Sequence, residues 1–473
     1  MESYESSLKL AFELHNSGRS AEAETLCRLL IQTRPQDAQS LFLLGMILHK
    51  DGRDGEATKW LSLAAGYDPD SARIYSGLGC AWQRLNEHAR AANAFEKTLE
   101  LDPRFPGADY NLGNSYYPLG RIEEAASRFQ KAVGQNPQDA PGWNNLGKCL
   151  KELNRLDESI EAYNRALEID PDYALARYGR GISLLTAGRL PEGFRDYEAR
   201  LRLVPARQFP RPAWDGSPAP GKTLFLHAEQ GFGDAILMVR FIAAARERVG
   251  RVMLECRPEL QGLLQYSKCA DIVIPYGGEI PAFDSWLSLI SLPGVLGTTL
   301  GTIPHQTPYL CAPAGFPLPP GQAGCRRVGL VWAGNPGHHQ DTRRSIRLEQ
   351  LAPVLRAPDA AFYSLQRDVP AEDQAFLQNS AICSNLDLAD FLNTAAAVAQ
   401  MDLIISVDTA VAHLAGALAK PVWVLLQHSP DWRWFLDRPD SPWYPTMRLF
   451  RQTKRSDWQT PIGRVAEELQ RST

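Results

Sequence analysis

Proline recurs every 34 residues, at 35, 69, 103, 137, 171 and 205. A proline cannot continue a helix, because it lacks the backbone donor and its ring clashes with the preceding turn. Each one therefore marks the end of a repeating helical unit. Other residues keep the same phase: Leu10, Leu44, Leu78, Leu112 and Leu146, then Gly45, Gly79, Gly113 and Gly147, and further on Ala23, Ala57, Ala91 and Ala125. Small residues at fixed positions let two helices of a unit approach closely, while large ones at helical spacing form a shared stripe. No single pair buries its apolar face alone, so the pairs must stack. The expected product is a right-handed superhelix whose concave groove is lined by the first helix of each unit. The unit at 174–207 departs from the pattern, with Gly193 at the small position and Arg200 at the next. Five repeats are clear, and the sixth is atypical, a cap or a hinge.

The 34-residue period and its small and large positions are those of the tetratricopeptide repeat. Asn111, Asn114, Asn144 and Asn145 fall on first helices of this array. Resemblance to peptide-binding arrays suggests that these amides hydrogen-bond an extended backbone; solvated polar positions are the alternative, and both stay open.

At 473 residues the chain is too long for one ordinary domain. Charge gives no sign of a nucleic-acid binder: 26 Lys and Arg face 29 Asp and Glu through residue 207, and 24 face 25 beyond it. The eight cysteines show no C-x-x-C pairing, so free thiols are expected rather than a zinc site or a disulfide framework. Neither a basic, apolar leader nor an apolar run of membrane-spanning length is present, and a cytoplasmic location is expected.

Residues 208–221 form a Pro-rich join, extended and semi-rigid, after a repeat domain at 1–207. From Thr223 short apolar runs alternate with amphipathic stretches. The runs are 223–227, 251–255, 271–275 and 283–289, with a helix at 235–247. After the Pro/Gly-rich stretch 311–324 come 327–332, 361–365, 402–407 and 422–426, with helices near 387–400 and 410–419. Such alternation predicts two open parallel sheets, at 222–318 and 319–473, with ligand crevices at the carboxyl ends of their strands.

Three segments carry the candidate chemistry. The first, HAEQGFGDA, runs from His227 to Ala235 at the end of the first strand. Gly231 and Gly233 permit a tight turn, but the third glycine of a dinucleotide fingerprint would fall at Ile236. Glu255 closes the second strand, where a ribose-binding acid would lie. His227, Glu229 and Gln230 join the two glycines on the acceptor side of the cleft, and Asp234 is either a helix cap or a cleft carboxylate. The second segment is SVDTAVAHLAGAL. Its strand ends at Asp408-Thr409 and a helix begins at Ala410, which aims backbone N–H groups and the positive helix end at the cleft, a setting suited to phosphate. His413 follows one turn later on the same face. In the third segment, WAGNPGHHQDTRRSIRL, Arg343 and Arg344 suit a departing phosphate and Asn335 lies in the preceding loop. The His338-His339 pair has no acid or cysteine at ligand spacing, so no metal is expected there. Trp432, Trp434, Trp443 and Tyr444 either stack on a base or sugar or pack the second lobe, and Arg433 beside them is another phosphate candidate.

The strand-end G-x-G-D and the D-T-x-x-x-H at a helix start resemble those of heptosyltransferase-like glycosyltransferases, which have the GT-B architecture. The whole chain, including DWRWFLDRPDSPWYPTMRLFRQ, looks similar to bacterial tetratricopeptide-containing glycosyltransferases, some of which glycosylate flagellin. The resemblance implies a multidomain fold: an all-α tetratricopeptide superhelix, then an α/β GT-B unit of two Rossmann-like lobes. It implies Asp234 as general base, Thr409, Ala410 and His413 as phosphate contacts, Asp408 as the residue shaping their loop, and Gln366 near the nucleotide. Ala410 stands where family members commonly have glycine. A terminal helix, 457–471, is implied to cross back to the first lobe. The expected partners are a nucleotide-sugar and a protein acceptor, with no cofactor, metal, nucleic acid or membrane span. A non-catalytic adaptor and transfer to a lipid or polysaccharide acceptor are the competing readings.

Overall fold

The computed structural model describes residues 3–204, 207–319, 324–337 and 341–471. Two compact units divide the chain, Met1–Arg180 and Gly181–Thr473. The division falls inside the sixth helix pair, so the Pro-rich join lies wholly within the second unit.

The first unit is a superhelix of antiparallel helix pairs: Tyr4–Asn16 with Ser20–Thr33, Ala38–Lys50 with Asp54–Tyr67, Ala72–Arg84 with His88–Leu101, Ala108–Tyr116 with Ile122–Gln135, and Ala140–Glu152 with Leu156–Ile169. The phased glycines have a steric cause. A Cβ added at Gly45, Gly79, Gly113 or Gly147 would come within 2.5 Å of Leu61, 2.7 Å of Phe95, 2.9 Å of Phe129 or 3.0 Å of Tyr163. Each large residue on the second helix thus fills the space left by a glycine on the first. Phe95 and Phe129 are fully buried there, which contributes roughly 1.5–3 kcal/mol apiece. Ala23, Ala57, Ala91 and Ala125 have no exposed surface. Gly18, Gly52, Asn86, Gly120 and Asn154 hold positive φ at the turns inside the pairs, where glycine and asparagine are best tolerated.

A sixth helix pair, Ala174–Thr186 and Leu190–Tyr197, follows in sequence. Its second helix belongs to the other unit and is short, eight residues. There Phe194 and Tyr197 meet the Trp432 ring edge-on, with centroids 5.6 and 6.2 Å away.

Two parallel sheets make the rest of the second unit. Strands β1 (Ala219–His227), β2 (Val249–Cys256), β3 (Ile272–Pro275) and β4 (Ser285–Ser288) lie in the order β3-β2-β1-β4. Strands β5 (Arg326–Val331), β6 (Ala360–Ser364), β7 (Leu403–Val407), β8 (Val422–Leu426) and β9 (Met447–Arg451) lie in the order β6-β5-β7-β8-β9. Both are Rossmann-like α/β lobes. The expected runs each coincide with a strand, but β9, within MRLFR, was not expected. The helix predicted at 235–247 starts earlier and breaks into Phe232–Met238, a 3-10 turn and Ile242–Arg246.

Two further expectations need correction. The Pro-rich join is extended, yet it is stitched beside β4: the Trp214 N–H donates to the Trp286 carbonyl at 2.8 Å and the Trp286 N–H to that of Pro212 at 3.2 Å. Phe209 packs among Phe225, Phe283 and Trp286. The terminal helix, Gln459–Arg471, does not cross back to the first lobe. Ile462, Val465 and Leu469 enter the core of the second lobe with Leu351, Val354 and Phe450, because its apolar stripe matches the face beside β9.

Candidate functional site

Two strand ends feed two helices that pack against each other. After β1, residues Ala228–Gly231 lead into Phe232–Met238; after β7, Asp408 and Thr409 lead into Ala410–Ala417. Gly233 sits at their closest approach. A Cβ there would stand 2.8 Å from His413 Cδ2 and 3.6 Å from Ala410 Cα, so a larger residue would push the helices apart.

Asp234 is the third residue of its helix and has both oxygens engaged. Oδ2 accepts from the Gly231 N–H at 2.9 Å, and Oδ1 is ion-paired with the Arg433 guanidinium. Arg433 Nη1 also meets Asp431 Oδ1 at 2.5 Å, and the guanidinium lies 4.3 Å over the Trp432 ring. Its side chain is 8% exposed, while its Nε has no hydrogen-bond partner. Burial works against the Arg433 charge, but Asp234 and Asp431 outweigh it and hold its pKa above the ordinary value. Burial lifts the Asp234 carboxyl above the usual range, with Arg433 pulling the other way. Asp234 is therefore a helix-start acceptor and one half of an ion pair, and sequence reasoning missed that Arg433 is its partner.

The second helix start differs. Thr409 is extended, with no side-chain cap bond; its hydroxyl instead meets Ser406 Oγ at 3.1 Å. Among the described residues no side chain accepts from the first-turn N–H groups of Ala410–Ala417, and unlike the Gly231 helix this one has no acidic residue in its first turn. Asp408 beside them has its pKa pushed up to about 6, chiefly by burial and then by Asp431, against the pull of Arg344.

His413 is buried, stacked on Trp434 at 5.0 Å and 24°, with Nδ1 3.0 Å from the Tyr444 hydroxyl. Burial and the nearby Arg433 push its pKa down to about 3, so the ring is neutral at physiological pH. Tyr444 in turn lies 3.4 Å from the Tyr309 hydroxyl, which donates to the Ile236 carbonyl at 2.9 Å and accepts from Arg240 at 2.9 Å. This chain ties the two helices. Trp432, Trp434, Trp443 and Tyr444 are all buried, which settles their role as packing.

The remaining predicted residues are scattered around this centre. Gln366 Oε1 accepts from the Trp332 and Ala333 N–H groups at 3.3 and 3.1 Å, bridging the ends of β5 and β6. Arg344 reaches Asp341 at 3.2 Å; Arg343 and Asn335 are exposed, and Asn335 Oδ1 accepts from the Gly337 N–H. His338 and His339 lie outside the described residues. His227 is buried against Phe209 and Trp286. Glu229 binds Arg200, at 3.1 Å, and Ser288. Gln230 is half-buried. Glu255 has no exposed surface and pairs with Arg207 at 2.6 Å, so it does not present itself to a ribose. Among the described residues no His, Cys, Asp and Glu cluster is placed to hold a metal, and no helix is long and apolar enough to cross a membrane.

In the repeats the four asparagines are not simply solvated. Asn145 Nδ2 donates to Asn114 Oδ1 at 3.0 Å and Asn144 Nδ2 to Asn145 Oδ1 at 3.1 Å, which links adjacent first helices. The Asn111 carbonyl accepts from Gln83 at 2.7 Å. All four remain half-buried.

Comparison with known proteins agrees with this division. Residues 8–72, 76–140, 110–174 and 144–208 match the tetratricopeptide repeat family, and residues 367–453 match glycosyltransferase family 9 (heptosyltransferase). The second match includes Asp408, Thr409, His413 and Arg433. Protein FlbA of Caulobacter vibrioides is 27% identical over 299 residues, 56% of this chain and 49% of FlbA, so the chain spans about half the length of that curated relative. Among solved structures, YrrB, described as a TPR protein with an unusual peptide-binding site, is 22% identical with a TM-score of 0.36, over 38% of this chain and 92% of its own. Pseudomonas aeruginosa pilF is 16% identical with a TM-score of 0.38, over 43% of this chain and 93% of its own. The chain is a tetratricopeptide-repeat protein with a glycosyltransferase-like α/β unit.

Proposed function

We propose that this chain moves a sugar from a nucleotide-sugar donor to a hydroxyl of a protein acceptor engaged by the repeats, with flagellin a first acceptor to assay. The uncapped start of helix Ala410–Ala417, set beside the buried Asp234–Arg433 pair, carries this reading. Donor phosphate binds the N–H groups at Thr409 and Ala410, where the helix end favours negative charge. His413 supports that helix start as a neutral ring. Arg343, Arg344, Asn335 and Gln366 border the donor, on the second of two GT-B lobes; His227, Glu229, Gln230, Gly231 and Gly233 shape the acceptor side. The acceptor oxygen attacks the anomeric carbon, the bond from that carbon to the phosphate oxygen breaks, and Asp234 takes the hydroxyl proton. The nucleotide leaves as its phosphate, stabilised by the helix end. No metal is required by this scheme.

A screen of UDP-, GDP-, ADP-, dTDP- and CMP-sugars, read as nucleotide release with acceptor present, tests the proposal. One donor should be consumed by the wild type, and Asp234→Asn should slow release about 10²- to 10⁴-fold. Release at the wild-type rate from Asp234→Asn would remove Asp234 as the base.

A further inference from the structure

Asp234 poses a problem for the scheme above: burial lifts its pKa, but both of its oxygens are engaged, Oδ2 by the Gly231 N–H and Oδ1 by Arg433, so neither is free to meet the acceptor's hydroxyl. The local geometry contains its own answer. Arg433 is anchored at one end, where Nη1 meets Asp431 at 2.5 Å and the guanidinium lies over Trp432. Its other end, Nη2, is what holds Asp234, and Nε is buried without any partner. A cation fixed on one side and only singly engaged on the other is able to exchange one anion for another without leaving its seat.

The exchangeable anion is close at hand. Trp434, the residue after Arg433, stacks on His413 at 5.0 Å, and Gly233, the residue before Asp234, lies where a Cβ would stand 3.6 Å from Ala410 Cα. The uncapped start of Ala410–Ala417 therefore lies within the same electrostatic neighbourhood as Nη2. A carboxylate and a phosphate compete for one fork of donors, and a diphosphate brings the greater charge.

We propose that Arg433 is shared: it holds Asp234 in the free protein and passes to the donor's phosphate on binding, which releases Asp234 to accept the acceptor's proton. This rests on the functional reading above, and adds to it a ligand for the donor and a means of keeping the base masked until the donor arrives. The direction of its effect is unusual. Removing the carboxylate slows transfer but strengthens nucleotide binding, because Arg433 no longer has to be taken from a competitor.

The test is calorimetric titration of the full-length protein with UDP, GDP, ADP, dTDP and CMP, comparing wild type with Asp234→Asn at matched melting temperatures. For the nucleotide that binds, Asp234→Asn should bind about tenfold tighter, within the usual range of coupling between two sites. Arg433→Gln, introduced into both proteins, should weaken binding and erase the difference between them. Unchanged or weaker binding by a folded Asp234→Asn overturns the sharing of Arg433 while leaving the donor site intact, and so does a gain that persists without Arg433. Binding of no nucleotide by the folded wild type overturns the functional reading and this inference with it.

Discussion

The two strand-to-helix junctions of the second unit share a backbone plan and differ in what closes them. At Gly231 the helix start carries its own anion: Asp234 reaches back to the Gly231 N–H and is neutralised by Arg433, although no side chain caps the first-turn N–H groups. At Thr409 the hydroxyl turns away to Ser406, and no side chain takes its place. A helix start with a carboxylate in its first turn repels a second anion, and one without any is available to an outside anion. On the proposed reading, the first start holds the base and the second the donor phosphate.

Four substitutions bear on that contrast. The largest effect is expected from Arg433→Met, which leaves the half-buried carboxylates of Asp234 and Asp431 without their cation. Chemical denaturation should register a loss of about 3–5 kcal/mol. Gly233→Ala comes next, since the added methyl meets His413 at 2.8 Å and the ring, wedged between Trp434 and Tyr444, has little room to yield. A loss of about 1–3 kcal/mol is expected, seen as a lower melting temperature.

Asp408→Asn acts through pH. The folded-state pKa of Asp408, about 6, lies above the unfolded value, so the native state holds that proton more tightly and loses stability as pH rises from about 4 through about 6. Asp408→Asn should therefore be more stable than wild type at pH 7, by about 1–2 kcal/mol, and the gain should vanish near pH 4. Denaturation curves at the two pH values check the sign. Thr409→Ala has the smallest effect. A capping threonine contributes about 1 kcal/mol, whereas Thr409 makes no cap bond, and a loss of about 0.5 kcal/mol or less is expected.

The repeat array was almost wholly legible because its determinants are local and phased. Gly79 and Phe95, or Gly113 and Phe129, sit on consecutive helices of one pair, so a sequence period reports a contact directly. The positive-φ turns at Gly18, Gly52, Asn86, Gly120 and Asn154 obey the same period, a signal that was there to be read. The strands of the second unit were legible as apolar runs, except β9, where Arg448 and Arg451 interrupt the run and aromatic and proline residues crowd the approach. Long-range pairing left no such trace. Arg433 follows Asp234 by 199 residues, and neither periodicity nor motif spacing connects them. The same holds for Arg207 with Glu255, a pair that turns an apparent ribose acid into a buried ion pair. The terminal helix went astray for a related reason: its amphipathic stripe showed that it would be buried, but not against which lobe.

The most direct test removes a single backbone donor. Ala410 is the first residue of its helix, where proline is well tolerated, and the extended Thr409 before it already suits a following proline. Ala410→Pro should melt close to the wild-type temperature yet bind the preferred nucleotide-sugar about 10-fold or more weakly in calorimetric titration, the cost of losing one hydrogen bond to a charged group. A folded Ala410→Pro protein that binds the donor with wild-type affinity would contradict the placement of the phosphate at this helix start.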